Sequence, residues 1–337
     1  MDWATLTAFR PDPARARYLD RRARERLASS LQEIFDACRG YVVWHDDDAA
    51  ALLQHIRRHS VSPTLFGLYT DLVEAIFDDR LDEAQDLANL LLQPQSRNRM
   101  PRRILTLTDD DLGPTQADRY RRLLNDEPGL RIAVDRVEPD ILVHSSALLM
   151  QTEKLLCRAA PEIAGEIAAL VQEIVVVASC AAPEFSLQFD GASTFYLWGA
   201  IFLNLSQQQM RVAVAEALAH ETGHCHLLGV TLGAPLVEND PLERHESPLR
   251  DDERPMDGIV HAAYVLARMV YCMERLAASG CLSGAETEAA KAAAARDRTL
   301  YHRGLSVVDR HARFTPIGKA VFDEACAFMR AGSDRTA

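Results

Sequence analysis

His220, Glu221 and His224 stand in the order HExxH, within Leu218-Ala219-His220-Glu221-Thr222-Gly223-His224. On an α-helix, residues four apart lie one turn apart on the same face, so both imidazoles can reach one cation. Glu221 is turned about 100° from His220. It is poorly placed to share that cation and well placed to touch a water bound to it, the arrangement of a metal-water site. HExxH fixes only three positions, and an amphipathic helix with two surface histidines can carry it by chance. Here it ends the helix-forming run MRVAVAEALA from Met210 and follows the apolar FYLWGAIFLNL from Phe195. Burying two histidines and a carboxylate without a partner is costly, so the metal site is the reading adopted. His226 lies about 160° around the helix from His220 and is expected behind the ligands or at the surface. Cys225 points off the metal face and reads as packing.

A third protein ligand must come from elsewhere. The metzincin pattern HExxHxxGxxH fails, because Leu227 and Val230 occupy its next fixed positions. Glu274, the one glutamate on the next expected helix, lies several turns from its start. The connecting segment from Ala234 to Met256 is long for an ordinary loop and offers Glu238, Asp240, His245, Glu246 and Asp251. His261 is preferred over these. It sits in the apolar run IVHAAYVLARMVYCM from Ile259 and follows a loop able to close over a metal. A lone histidine on an apolar face is more often a satisfied core residue; the need for a third ligand weighs the other way.

Several elements must position these groups. The expected strand Phe195–Leu205 precedes the HExxH helix, which Gly229 is expected to close. Asp257 is the expected N-cap of the following helix. Helical periodicity marks 14–38, 47–59, 64–92, 116–124, 146–158, 161–173, 284–298, 300–311 and 317–331. Strands are expected at 103–108, 130–134 and 174–178, a turn at 190–193, and a solvated capping loop at Asp109-Asp110-Asp111. The implied fold is α+β and predominantly helical, with a small sheet packed on the HExxH helix. Residues 1–100 read as an N-terminal helical subdomain and 101–337 as the catalytic domain.

The 337 residues carry 37 Lys and Arg against 49 Asp and Glu, a formal charge of −12. That balance argues against nucleic acid and anionic membranes as partners. The seven cysteines are scattered, with no CxxC, as in a reducing cytoplasm. No stretch of about 18 apolar residues could span a membrane, and the first residues lack the apolar core of a signal peptide. The chain is expected to be cytoplasmic.

The HETGH helix, the GAIFLN run before it, the SPLRDDERPMDGIVHAAYVLARM segment and the late RFTPIGKA together resemble the HExxH-motif proteins of bacterial peptide natural-product clusters. The resemblance covers roughly residues 145 to 325 and is carried chiefly by HExxH combined with RPMDGIVHA. It implies an Fe(II)- and 2-oxoglutarate-dependent oxygenase that hydroxylates a side-chain β-carbon of a ribosomally made precursor peptide. By this resemblance His220, His224 and His261 would hold iron, and Arg254, or else Arg250, would pair with the distal carboxylate of 2-oxoglutarate. Arginine suits a dicarboxylate because its donors form a fork. On their own, three histidines fit zinc as well as iron. A zinc metallopeptidase with Glu221 as general base is therefore the alternative, and a silent peptide-binding protein with a structural metal is a third class.

Overall fold

A computed structural model of the chain describes residues 1–93, 103–125, 133–179, 190–250 and 252–333. Most of it is helical. In chain order come α1 (Trp3–Thr7), α2 (Pro13–Ala37), α3 (Asp46–Arg58), α4 (Pro63–Phe77), α5 (Leu81–Leu92), β1 (Arg103–Thr106), α6 (Asp109–Leu112), α7 (Gln116–Leu123) and β2 (Val134–Arg136). Then follow α8 (Pro139–Ala159), α9 (Pro161–Leu170), β3 (Glu173–Ser179), β4 (Gly191–Ser193), β5 (Ala200–Leu203), α10 (Arg211–Thr231), α11 (Met256–Ala278), α12 (Gly284–His311) and α13 (Pro316–Ser333). The α+β, predominantly helical class expected from the sequence is the class observed.

The chain forms two compact units, each discontinuous. One comprises residues 17–145 and 168–206, the other residues 1–16, 146–167 and 207–337. The four boundaries between them fall at 16/17, 145/146, 167/168 and 206/207, while periodicity suggested a division at residue 100. All five strands belong to the first unit and the HExxH helix to the second. Within its own unit the sheet is covered by α6 and α7.

In the first unit the strand order is β1-β3-β5-β4, with β2 also paired to β3. β1, β3 and β5 run parallel, and β2 and β4 are antiparallel to their partners. β3 reads as one apolar β-branched run because both faces are buried, as central parallel strands require. Leu105, Tyr120, Val175, Val177, Leu197 and Phe202 form its core. Glu173, buried at the start of β3, accepts from Tyr120 Oη at 2.8 Å, Ser62 Oγ at 3.0 Å and Arg103 Nη2 at 3.0 Å. Gly67 lets α4 approach this layer: a Cβ there would meet Arg119 Cδ at 3.0 Å.

Four local expectations change. The periodic run 64–92 is two helices, broken where Asp79 takes φ 56°. Residues 190–193 are not a bare turn, because Gly191–Ser193 pairs with β5. Phe195–Leu197 is a 3₁₀ turn, and only Ala200–Leu203 is strand; it lies inside the sheet between β3 and β4, so no extended peptide can add to it. Asp109–Leu112 is a short helix capped by Thr108, with Asp111 Oδ2 accepting from Thr106 N at 2.7 Å. Of the expected strand 130–134, residues 130–132 lie outside the described set, as do Cys180 and Asp251.

In the second unit α11 packs against both α10 and α12. It is buried nearly all round, from Ile259 to Leu276, as a central helix must be. Gly223, inside the HExxH motif, allows the close approach of α10. A Cβ there would lie 3.1 Å from Val265 Cγ1 and 3.4 Å from Arg268 Cγ. α10 continues past Gly229, which is buried within it, and ends where Leu232 and Gly233 turn left-handed at φ 54° and 79°. α12 spans both helices expected at 284–298 and 300–311, and its start is a full capping box of Ser283 and Glu286. Beneath α11, Arg268 donates to Phe9 O at 2.7 Å and pairs with Glu166, whose Oε2 accepts from Asp12 N at 3.1 Å.

Candidate metal centre

His220 and His224 lie on one face of α10, as their spacing requires, with Nε2 atoms 3.2 Å apart. Their ring centroids are 4.9 Å apart and the planes cross at 61°. Two imidazoles holding one ion at about 2.1 Å, with nitrogens this far apart, would set their centroids about 5 Å apart. The observed separations match that arrangement. Burial pulls the His220 imidazole down to about 4, and it pulls His224 well below the ordinary histidine value, with His220 and His261 adding to the effect. Both rings are neutral at pH 7, the form that binds a metal.

His261 on α11 reaches the same cluster, but at a different edge. Its Nδ1 lies 3.3 Å from His224 Nδ1. The centroids of these two rings are 5.5 Å apart and their planes only 20° apart, so they meet edge to edge. His261 Nε2 faces Asp257 Oδ2 at 3.5 Å. Asp257 is not the N-cap of α11; Pro255 takes that position, and Asp257 Oδ1 accepts from Leu236 N at 2.7 Å. Tested for metal fit, the His220 and His224 nitrogens suit two positions around one ion. His261 in this orientation does not supply a third, because its Nδ1 faces His224 Nδ1 rather than the Nε2 edge that faces His220. Among the described residues no three His, Cys, Asp or Glu side chains are arranged to hold one ion.

Glu221 is buried, with Oε1 3.8 Å from His220 Nε2. It stands beside the ligand pair rather than across the helix from it. His226 is fully buried behind the pair, not at the surface; its Nδ1 bonds to Tyr264 Oη at 2.9 Å. Cys225 is buried in packing, as expected. Of the loop candidates, Glu238, Asp240 and Glu246 are exposed. His245 pairs with Arg254 through backbone bonds of 2.9 and 2.8 Å, and its ring lies against His311, 4.8 Å between centroids.

Arg250 and Arg254 share Asp252: Arg250 Nε is 2.8 Å from Oδ1 and Arg254 Nη1 is 3.8 Å from Oδ2. The Arg254 stem lies over Gly258, where an added Cβ would meet Arg254 Cβ at 3.8 Å and Nε at 3.9 Å. Gly258 and His261, three apart, share one face of α11. Arg254 is thus held about one turn from His261, while Arg250 is carried on the exposed part of the loop.

Sequence reasoning passed over three contributors. Asp257 stands four before His261, a spacing that was legible. Met269 is reached only across the helix pair; its Sδ lies 3.3 Å from His220 Nδ1. Gly223 fills an unspecified position of HExxH, and only the packing shows its role. Compared with models of protein families and with characterised proteins, the chain matches none.

Proposed function

We propose that this protein is an Fe(II)- and 2-oxoglutarate-dependent oxygenase that hydroxylates a side-chain β-carbon of a ribosomally made peptide. The observation that carries the metal part of this reading is the pair of half-buried, neutral imidazoles whose Nε2 atoms lie 3.2 Å apart. The resemblance in the HETGH and RPMDGIVHA segments carries the choice of iron and 2-oxoglutarate. When bound, iron and 2-oxoglutarate supply the oxidising power to insert one oxygen of dioxygen into a C–H bond, with succinate and carbon dioxide as co-products.

The chain's own residues hold and orient. His220 and His224 would hold the metal through Nε2. Arg254, its stem fixed against Gly258, would pair with the distal carboxylate of 2-oxoglutarate, a charge-assisted contact worth about 1.5–3 kcal/mol. Glu221, set beside His220, would accept a hydrogen bond from a group entering the site. That same placement favours the second reading, a zinc metallopeptidase in which Glu221 takes a proton from water.

Protein loaded with iron under anaerobic conditions, then given 2-oxoglutarate and oxygen, is expected to release succinate. The release should rise with the peptides encoded beside its gene, and a product peptide should gain one oxygen. Arg254→Ala is expected to weaken 2-oxoglutarate binding about tenfold to a hundredfold while iron stays in place; the same loss in Arg250→Ala instead would move the role to Arg250. Glu221→Gln is expected to keep part of the activity. No binding of 2-oxoglutarate, with zinc-dependent peptide cleavage abolished by Glu221→Gln, would replace the oxygenase with the peptidase.

A further inference from the structure

The three imidazoles form a chain of contacts whose protons can be assigned from their neighbours. Met269 Sδ has no proton to give, so His220 Nδ1, 3.3 Å away, must be the donor. The neutral His220 ring then carries its lone pair on Nε2, toward His224. At the other end Asp257, as a carboxylate, only accepts. The edge of His261 that faces it at 3.5 Å, Nε2, is the edge that carries the proton. The His261 lone pair is then on Nδ1, which faces His224 Nδ1 at 3.3 Å.

His224 decides between two arrangements. It can give an Nε2 proton to His220, or an Nδ1 proton to His261. The ring geometry separates them. At the His224–His261 contact, centroids lie 5.5 Å apart for nitrogens 3.3 Å apart, so the bond runs straight from ring edge to ring edge. At the His220–His224 contact the centroids are only 4.9 Å apart for nitrogens 3.2 Å apart, too close for a straight contact, so this one is bent. A hydrogen bond weakens as it bends, so the straight contact takes the proton.

We infer that His261 is the positioning partner of His224, receiving its Nδ1 proton with Asp257 behind, and is not itself a metal ligand. The relay fixes the tautomer of His224 as Met269 fixes that of His220, and leaves a bare Nε2 lone pair on each. Histidine ligands commonly hand their other nitrogen to a carboxylate or carbonyl in this way; here a second imidazole stands between ligand and carboxylate. The remaining metal positions are left to water or the co-substrate. This inference rests on the metal-centre reading of the proposed function.

The test separates the two. Nitrogen-15 NMR of histidine-labelled, metal-free protein at neutral pH reads the tautomers without any metal. The expected result is His220 and His224 protonated at Nδ1 and His261 at Nε2. His224 protonated at Nε2, or His261 protonated on both nitrogens, overturns the relay. X-ray absorption on the iron-loaded protein is expected to count two imidazoles, and three would overturn the inference. In iron titrations His261→Asn, whose amide oxygen can stand where Nδ1 stands, is expected to stay within several-fold of wild type. His261→Ala should lose about tenfold to a hundredfold. A His261→Asn variant as defective as His220→Ala would make His261 a ligand. If the wild type binds no iron, the proposed function fails and the NMR result still judges the relay.

Discussion

At the residue scale, the proposed function makes His220 and His224 the groups whose loss cannot be made good, because in it each supplies a nitrogen to the metal. His220→Ala and His224→Ala are each expected to lower iron affinity by more than about a hundredfold, beyond the range of residues that only orient ligands. Metal analysis after dialysis against a weak chelator checks this. The same burial makes the metal-free protein sensitive to acid. An unfolded histidine binds its proton near pH 6.5, whereas His220 in the fold binds it near 4. Between those values the unfolded chain holds more protons, so stability rises with pH and falls as pH drops from about 6.5 to about 4. His220 accounts for up to about 3 kcal/mol of that fall. Urea unfolding of wild type and His220→Ala across this range should show a shallower slope in the variant; parallel curves would remove His220 as the source.

At the element scale, the site depends on how closely α10 and α11 approach. Gly223 faces Val265 and Arg268 one turn from His261, and its missing side chain is what brings His261 within reach of His224. In Gly223→Ala the new Cβ would meet Val265 Cγ1 at 3.1 Å, a branched, buried side chain with little room to yield. The expected cost is about 1–3 kcal/mol in chemical denaturation, typical of overpacking. Iron affinity should fall as well, since the His224–His261 contact lengthens. A Gly223→Ala protein as stable as wild type and equally tight for iron would show that the helices adjust freely. The acidic cap of α12, by contrast, lies away from these contacts; Ser283→Ala is expected to cost about 1 kcal/mol in stability with iron binding unchanged.

At the scale of the whole molecule, each compact unit is assembled from distant stretches of chain, so cutting at residue 100 divides both. Residues 1–100 alone would lack the partners that α2 and α4 use within their unit. Trp198 bonds Asp20 at 3.2 Å, Tyr120 meets Thr64 at 3.0 Å and Arg119 meets Asp71 at 2.6 Å. The fragment 1–100 is expected to unfold without a cooperative transition by circular dichroism; a sharp transition would show that these helices suffice. The fragment 101–337 would lose Phe9, Asp12 and Arg15 from around Glu166 and Arg268. Removing one partner of a buried ion pair leaves the other charge stranded, so Glu166→Ala in the full chain is expected to cost about 3–5 kcal/mol. No helix among the described residues is long and apolar enough to cross a membrane.

The amino-acid sequence by itself determined the helices, because 3.6-residue periodicity and capping residues are local, and it determined that His220 and His224 share a face, because a four-residue step along a helix has no other outcome. It also marked α11 as an apolar helix through the run from Ile259. It could not separate one helix from two at 64–92, where a single left-handed aspartate breaks a continuous pattern. Nor could it place the Phe195–Leu205 run inside a sheet rather than at its edge. Tertiary structure alone decided which edge of His261 faces His224, that Met269 holds the far side of His220, and that Gly223 sets the spacing between the two helices. Those facts depend on side-chain torsions and on helices far apart in the chain meeting in space. A residue spacing can propose three ligands for one metal; only the fold shows that His220 meets His224 through Nε2 while His261 meets it through Nδ1.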